Sequence, residues 1–135
     1  MTETLKYYIA FNNGLTVLRA EGTSATETGR FFEGKTLEHI TGCRETPNVV
    51  FAAVAFDGGY RTDDGGQSWQ KILEGDVRTF TVDPHDERVV YAGAGPVTLY
   101  RSEDNGVTWE SLDGLMDVPE GVKNQWSVPA AYDGK

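Results

Sequence analysis

The sequence has only one cysteine in 135 residues, Cys43, and this scarcity excludes two kinds of site. A single thiol cannot form an internal disulfide bond or supply a cysteine-based metal site. Cys43 falls in an apolar-leaning predicted strand, so we expect a buried structural thiol and not a nucleophile. The sequence also lacks the spacings of a zinc site, a phosphate loop or a nucleophile elbow. We therefore predict no metal and no cofactor.

Basic residues are few, and they are dispersed along the chain. There are 12 Lys and Arg residues against 21 Asp and Glu residues, which gives a formal net charge of −9. A nucleic-acid-binding protein usually has a basic face, so we expect no nucleic-acid partner. Anionic membrane surfaces are disfavoured for the same reason. We interpret the acidity as a solvated surface, with a salt-rich environment or a basic partner as the alternative.

Long hydrophobic runs are missing as well. Residues 1–6 contain neither a basic region nor an apolar run, so the sequence shows no secretory signal. No stretch reads as a transmembrane span, and a cytoplasmic location is the default prediction. Sixteen glycines against two methionines favour short strands and tight turns over helices.

What the sequence does contain is an internal repeat. Residues 62–69 read Thr-Asp-Asp-Gly-Gly-Gln-Ser-Trp, and residues 102–109 read Ser-Glu-Asp-Asn-Gly-Val-Thr-Trp. Both copies follow Tyr-Arg, and both have the form hydroxyl-x-Asp-x-Gly-x-hydroxyl-Trp. They lie 40 residues apart. A period of about 40 is typical of stacked-repeat architectures.

Each repeat unit divides into four short β segments. Residues 37–73 align with residues 77–113 without gaps. In the second unit the predicted segments are 77–83, 89–94, 98–103 and 108–112. Four strands in a unit of about 40 residues are typical of a β-propeller blade. We therefore predict an all-β fold, a partial β-propeller of about three four-stranded blades, with the repeated turn between the third and fourth strands.

The rest of the chain follows this period less well. Residues 7–11 and 15–19 flank the turn signal Asn12-Asn13-Gly14 and predict a hairpin. Residues 20–29 are predicted to be a loop, and 30–32 a short third strand. We treat 1–135 as a single propeller segment, divided into a degenerate partial blade that lacks its first strand (6–36), two blades (37–74 and 77–114), and a loop leading to a further blade (115–135).

Every position of the repeated motif has a structural role. The aspartate can accept backbone N–H groups, the hydroxyls can tie the two arms together, and the glycine can adopt a positive φ. The tryptophan can bury a large ring against the neighbouring sheet. A calcium loop would need carboxylates at alternate positions and a glutamate at the twelfth, so we predict no metal here. The predicted structural residues are Thr62, Asp64, Gly66, Ser68, Trp69, Ser102, Asp104, Gly106, Thr108 and Trp109.

The two copies resemble the Asp-box, or bacterial neuraminidase repeat. Their surroundings, including Asp83-Pro84 and Val89-Val90-Tyr91-Ala92-Gly93, resemble Asp-box β-propellers with glycosyl-hydrolase-like or sortilin-like repeats. The resemblance is specific for residues 37–113. It implies Asp-box turns on one face and functional sites on the opposite face, near a central channel. The group includes sialidases, other glycosidases, a photosystem assembly factor and sorting-receptor ectodomains, so the resemblance implies a fold and not an activity.

The candidate binding residues follow from this expected geometry. The connections between second and third strands, and those between blades, should reach the face away from the Asp-boxes. The candidates on these connections are Asn12, Asn13, Asp57, Glu74, Asp76 and Trp126. His39 is expected to border the channel as a hydrogen-bonded structural residue. Arg61 and Arg101 recur at one blade position, which favours a structural role over a sialidase-type arginine cluster.

The sequence favours a non-catalytic binding or scaffold module within a larger propeller or assembly. No catalytic residue is predicted, and the question of enzymatic activity is left open, leaning towards none. The alternative is a fragment of an Asp-box glycoside hydrolase, sialidase-like or another exo-acting glycosidase, which would need a pair of opposed carboxylates. Closed propellers typically have four to eight blades, so copies of this chain, further blades or a partner must complete the ring. Carbohydrate or peptide is the candidate ligand.

Overall fold

A computed structural model describes residues 4–112 of the chain. This part contains eleven strands: β1 (Thr4–Phe11), β2 (Gly14–Glu21), β3 (Ser24–Phe31), β4 (Leu37–Gly42), β5 (Val50–Val54), β6 (Gly58–Thr62), β7 (Gln70–Glu74), β8 (Val77–Val82), β9 (Val90–Ala94), β10 (Thr98–Ser102) and β11 (Glu110–Ser111). The predicted all-β class is confirmed. The predicted loop 115–135, with the candidate Trp126, lies outside the described residues.

The strands form three antiparallel sheets in chain order. Sheet 1 has the order β1-β2-β3, sheet 2 the order β4-β5-β6-β7, and sheet 3 the order β8-β9-β10-β11. Each strand pairs with the next along the chain, because every connection within a sheet is at most seven residues long. The boundaries predicted for the second unit agree with β8 to β11 to within about two residues.

The core lies between the sheets, and sheet 2 is covered on both sides. All five residues of β5 are buried, as expected for a strand with a neighbouring sheet on each face. Towards sheet 3, Phe51 and Ala53 pack with Val77, Phe80 and Val90. Cys43 belongs to this cluster, which confirms the prediction of a buried thiol.

The other face of sheet 2 packs on sheet 1. Here Ala52 and Val54 form a cluster with Leu15 and Leu37, and the rings of Phe31 and Phe32 lie against it. Alternate residues of one strand therefore serve two interfaces, because side chains of a strand point to opposite faces in turn.

The predicted loop over residues 20–29 is wrong. β2 continues to Glu21, a two-residue turn follows, and β3 runs from Ser24 to Phe31. The segment is polar because most of β3 is exposed, so it shows no apolar alternation by which a strand could be recognised. Threonine, which occurs three times within 20–29, favours the extended conformation.

The strand connections lie at two opposite ends of the sheets. We call the end with the repeated turns 62–69 and 102–109 the turn end; it also carries the connections 43–49 and 83–89. We call the other end the loop end; it carries the connections 12–13, 32–36, 55–57, 75–76 and 95–97.

In the part of the chain that the structure describes, there is no helix with the length and apolar character needed to cross a membrane.

Replacing Trp109 with alanine tests the packing between sheets 2 and 3. The indole ring centroid lies 5.9 Å from that of Phe80, and the indole N–H donates to the Gly106 carbonyl at 2.9 Å. The ring is partly buried against the core cluster, so we expect Trp109→Ala to lower the free energy of unfolding by about 3 kcal/mol, at the low end of the range for truncated core aromatics. Urea denaturation measures the free energy of unfolding. The exposed neighbour Val107 provides the control, and Val107→Ala should change the free energy of unfolding by less than about 0.5 kcal/mol.

Candidate functional site

The first repeated turn is held by the carboxylate of Asp64. Its Oδ1 accepts the Thr62 hydroxyl at 2.7 Å and the backbone N–H groups of Gln67 and Ser68 at 3.0 Å each. Its Oδ2 accepts the Ser68 hydroxyl at 2.5 Å. The Thr62 hydroxyl oxygen in turn accepts the N–H of Gly66 at 3.0 Å. Both arms of the turn are thereby fixed to one side chain.

The second repeated turn contains the same bonds at the same positions. Asp104 Oδ1 accepts the Ser102 hydroxyl at 2.7 Å and the N–H groups of Val107 and Thr108 at 3.1 and 2.8 Å. Its Oδ2 accepts the Thr108 hydroxyl at 2.5 Å. The N–H of Gly106 donates to the Ser102 hydroxyl oxygen at 2.8 Å. The tryptophans differ: the indole N–H of Trp109 has a partner in its own turn, whereas the buried indole N–H of Trp69 has no hydrogen-bond partner among the described residues.

These bonds hold both aspartates in the charged form. The hydroxyl of Ser68, followed by the N–H of the same residue, keeps the pKa of Asp64 well below its usual range. Thr108 acts in the same way on the pKa of Asp104. A carboxylate that already accepts four hydrogen bonds within its own turn has little capacity left for a cation or a substrate. The turns therefore have the geometry of structural elements.

The turn glycines bring each sheet into contact with an aromatic ring of the preceding sheet. Gly66 and Gly106 both have a φ of +86°. A Cβ atom at Gly106 would lie 2.3 Å from the Phe51 ring, and one at Gly66 would lie 2.8 Å from the Tyr8 ring. No side chain fits at either position, so the turn also determines how closely neighbouring sheets approach.

A cation of the preceding sheet reaches each turn. Arg61 donates from Nε to the Asn105 carbonyl at 2.9 Å and from Nη2 to the Asn105 Oδ1 at 2.7 Å. In the first turn, Lys6 Nζ donates to the carbonyl of Gly65, which occupies the position of Asn105, at 3.1 Å. Arg101, at the position of Arg61, binds the Tyr91 hydroxyl within its own sheet at 3.4 Å. Arg61 is therefore part of the contact between sheets.

Two of the candidate binding residues cap the connection between sheets 1 and 2. Asn13 accepts the N–H of Gly34 on its side-chain oxygen at 3.1 Å. The backbone carbonyl of Asn12 accepts the hydroxyl of Thr36 at 3.1 Å. Asn13 also lines a cavity of about 580 Å³ at the loop end, together with Phe11 and Arg30.

Asp57 is the most strongly bound of the candidates. Its carboxylate lies 2.5 Å from Lys35 Nζ and 2.7 Å from Lys71 Nζ, and it accepts the Tyr60 hydroxyl at 2.9 Å. Only 10% of its side chain is exposed. The ammonium groups of Lys35 and Lys71 hold the pKa of Asp57 well below its usual range. Asp57 raises the pKa of Lys71 to about 12 in return.

The remaining described candidates lie beside this group. Glu74 is 83% exposed and contacts Lys71 at 3.5 Å. Asp76 accepts Arg78 Nε and Nη2 at 3.1 and 2.8 Å, and its backbone carbonyl accepts the N–H of Gly95 at 2.9 Å. Asp76 and Arg78 line another cavity, of about 790 Å³. The structure thus places five candidates at the loop end. Four of them, all except Asp76, contact either residues 34–36 or Lys71.

Sequence reasoning missed a groove between the first strands of sheets 2 and 3. It has a volume of about 700 Å³ and is lined by His39 and Thr41 of β4 and by Thr79 and Thr81 of β8. The available signal was the 40-residue offset, which pairs His39 with Thr79 and Thr41 with Thr81. His39 Nδ1 accepts the N–H of Phe80 at 3.2 Å, so the predicted hydrogen bond of His39 is confirmed.

The groove is bounded at the turn end by charged residues. Glu87 accepts the backbone N–H of Arg44 at 2.6 Å and that of Glu45 at 3.1 Å. This carboxylate therefore ties the connection 43–49 of sheet 2 to sheet 3. His85 and Arg44 also line the groove. Hydroxyls, an imidazole and a guanidinium together can bind a polar ligand by hydrogen bonds.

Two glycine replacements separate backbone strain from steric clash. Gly75 has a φ of +98° and open space where a Cβ would lie, whereas Gly106 combines a φ of +86° with the Phe51 ring. We expect Gly75→Ala to lower the free energy of unfolding by about 1–2 kcal/mol, because of the left-handed backbone conformation alone. Gly106→Ala should cost about 1–3 kcal/mol more, because Phe51 is fully buried and cannot move aside. Chemical denaturation measures both changes. Equal losses of unfolding free energy in the two variants would show that a Cβ atom at position 106 does not clash with the Phe51 ring.

Acid should weaken the repeated turns. The folded-state pKa of Asp104 lies below its ordinary value of 3.8, so its stabilising effect is present above about pH 4 and is lost as the pH falls further. We expect Asp104→Asn to lower stability at neutral pH and to make the decline between about pH 5 and pH 2 shallower. Thermal unfolding across this range measures both. The exposed Glu38→Gln variant controls for net charge and should keep the steeper decline.

No family model and no curated protein matches this chain. Solved structures are similar to it. An ancestral GH74 enzyme has a TM-score of 0.62 and 21% identity, over 77% of this chain and 16% of that chain. YCF48 bound to D1 peptide has a TM-score of 0.53 and 16% identity, over 82% and 44%. The GH74 xyloglucanase from Xanthomonas campestris has a TM-score of 0.55 and 16% identity, over 82% and 22%.

These neighbours are β-propeller proteins, and the present chain spans less than half the length of each. Three sheets of three or four antiparallel strands, stacked in chain order, correspond to part of such a ring. The chain has a propeller-type repeat fold and forms a partial β-propeller.

Proposed function

We propose that this chain is a binding or scaffold part of a β-propeller and does not itself catalyse a reaction. The observation that carries the proposal is the state of the carboxylates at the loop end. Asp57 is neutralised by Lys35 and Lys71, and Asp76 by Arg78. Carboxylates that are already paired with cations stabilise the surface and are not free for catalysis. Such a surface can still bind a partner through its shape.

The electrostatics support a role without catalysis. A glycosidase of the ordinary type needs one carboxylic acid whose pKa is raised, so that it can give a proton to the leaving group. Where the surroundings of a described carboxyl group shift its pKa, the shift is downward; this holds for Asp57, Asp64, Asp86 and Asp104. These four groups are held as carboxylates and are unsuited to act as a general acid.

We also propose that the chain belongs to the Asp-box group of propellers. The aspartates of the two eight-residue turns make the same four hydrogen bonds, and each aspartate joins both arms of its turn. In this interpretation residues 6–36 are a degenerate blade, and 37–74 and 77–114 are complete blades. The ring is then completed by further copies, further blades or a partner, and we propose a cytoplasmic location.

The groove between β4 and β8 is the best surface for a ligand. First strands are the innermost strands of propeller blades, so the groove borders the central channel once the ring is closed. Its threonines, His39 and the charged groups at its turn end favour a polar ligand, and we propose carbohydrate or peptide. The structural neighbour YCF48 was solved with a peptide, which supports the second choice.

The alternative is that the chain is part of a glycoside hydrolase. Its support is the similarity to an ancestral GH74 enzyme and to a GH74 xyloglucanase. In that case the catalytic carboxylates would come from parts of the ring outside residues 4–112, or the pair would be brought together only when blades meet.

A binding screen with groove variants tests the proposal. The assembled protein is screened against oligosaccharides and short peptides, and hydrolysis of chromogenic glycosides is followed in parallel. We expect binding without turnover, and Thr81→Arg should weaken binding at least about tenfold, because it fills the groove. Thr26→Arg, on the exposed strand β3, is the control and should bind normally. Turnover of a glycoside would favour the alternative, and equal binding by both variants would place the ligand elsewhere.

A further inference from the structure

Sheet 1 differs from the other two sheets in its number of strands. It has three, whereas sheets 2 and 3 have four. The ring of Tyr8, on β1, lies against Gly66 of the next sheet, and the ring of Phe51, on β5, lies against Gly106 in the same way. β1 therefore corresponds to β5, the second strand of sheet 2, at an offset of 43. In the described part of the chain, sheet 1 has no counterpart of the first strand β4.

The outer face of sheet 1 is apolar and exposed. Four large apolar residues alternate along β1 and are each 43–48% exposed: Leu5, Tyr7, Ile9 and Phe11. They lie on the face away from sheet 2, because Tyr8 and Ala10 between them pack towards sheet 2. In β5 the counterparts of Ile9 and Phe11 are 0% exposed, because sheet 1 covers them: Ala52 and Val54. A continuous apolar face of this kind marks an interaction surface.

The outer face of sheet 3 corresponds to a face that is buried in sheet 2. Val49, Phe51 and Gly59 are buried where sheet 2 meets sheet 3. Their counterparts 40 residues later are only half-buried: Val89, Tyr91 and Leu99. Within residues 4–112, no further sheet covers this face.

The outer face of sheet 3 also has the cation of a contact between sheets. Arg61 crosses from sheet 2 to Asn105 in the turn of sheet 3. Its counterpart Arg101 lies over the Tyr91 ring, with the guanidinium carbon 5.9 Å from the ring centroid. The apolar residues and the cation that join sheet 2 to sheet 3 therefore recur together on the outer face of sheet 3.

The two outer faces have complementary shapes at the loop end. On sheet 3, Gly93 and Leu99 line the cavity of about 790 Å³. In sheet 2 the equivalent space is filled by the first strand of the next sheet, because a Cβ atom at Gly59 would lie 2.6 Å from the Phe80 ring. Sheet 1 has no such strand among the described residues, and Phe11 presents an exposed ring at the loop end of β1 instead.

We propose that sheet 1 of one copy docks on the outer face of sheet 3 of a second copy, and that two chains thereby close one ring of six sheets. This rests on the proposed function, in which the sheets are blades of a propeller. The contact continues the stack that sheets 1, 2 and 3 already form, so it repeats an interface that exists within the chain. It removes two apolar faces from water in each contact.

A second copy is favoured as the partner because each chain carries both halves of the contact. Two unlike patches on one molecule give a head-to-tail contact, which generates a ring where the rotation closes. Two chains provide six sheets, within the usual range of four to eight blades for a closed propeller. A contact of sheet 1 with another sheet 1 would leave the cavity beside Leu99 uncovered.

The mass of the protein in solution is the first test. We expect a two-chain mass in sedimentation over about a hundredfold range of protein concentration, with dissociation at the low end by mass action. Ile9→Arg places a charge on the outer face of sheet 1, and Leu99→Arg places one on the outer face of sheet 3. Each should weaken assembly at least about a hundredfold, because both contacts of the ring then carry the substitution.

Mixing the two variants distinguishes a head-to-tail contact from other arrangements. The Ile9→Arg chain retains an intact sheet 3, and the Leu99→Arg chain retains an intact sheet 1. We expect the mixture to form a dimer with one chain of each kind, held by the one unmodified contact. Thr26→Arg is the matched control, because Thr26 lies opposite Arg19 on the face of sheet 1 turned towards sheet 2. This variant should keep the two-chain mass by itself.

Thermal unfolding of each variant shows that it is folded, and Val89→Arg, on the same face, replaces Leu99→Arg if the latter does not unfold cooperatively. Recovery of the dimer on mixing supports the proposal. A one-chain mass of the unmodified protein overturns it, and so does a mixture of folded variants that stays at one chain. Loss of assembly with Ile9→Arg alone indicates sheet 1 against sheet 1, and a mass above two chains indicates an open stack; both results overturn the proposal.

The test is independent of the ligand screen. The groove between β4 and β8 lies within one chain. Binding of an oligosaccharide or peptide there by a protein of one-chain mass would overturn the docking of two copies and leave the proposed function standing. A two-chain ring without any ligand would have the opposite meaning.

Discussion

The fold depends on a carboxylate that satisfies the backbone of a tight turn. In each complete sheet one aspartate accepts two N–H groups and two hydroxyls, and this fixes the residue two positions later with a positive φ. That residue must be glycine, since an aromatic ring of the preceding sheet occupies the space of a side chain. Local hydrogen bonding within eight residues therefore sets the distance between sheets. The buried clusters on both faces of sheet 2 follow from that distance.

Much of this could be predicted from the sequence, because the decisive bonds are local. The partners of Asp64 and Asp104 lie within four residues, so the motif itself carries the geometry, and its recurrence after 40 residues reveals the stacking. The interval also indicates four strands in each unit, and the boundaries of sheet 3 agree with it. The sequence predicts only the end of β3, as a short strand at 30–32, because both faces of this strand are largely polar and the pattern that marks a strand is the alternation of polar with apolar residues.

The surroundings of the candidate site could not be predicted in the same way. The carboxylate of Asp57 is neutralised by lysines 22 residues before it and 14 residues after it, and no spacing rule connects such positions. His39 accepts the N–H of Phe80 across two sheets, and only the stacking brings these groups together. The same holds for Glu87, which caps a connection of the neighbouring sheet. Sequence identifies the end of the sheets where these residues lie, whereas the pairing among them is a property of the packed structure.

The contact of Arg61 with Asn105 has a consequence for how such a chain can change its length. The cation and the turn that receives it lie 44 residues apart, and the first repeated turn likewise receives a cation of the preceding sheet, Lys6. Arg101 occupies the position of Arg61 on the third strand of the next unit. A duplicated 40-residue unit would therefore bring its own receiving turn and its own arginine. The number of blades can thus vary in evolution while the chemistry that connects them stays constant.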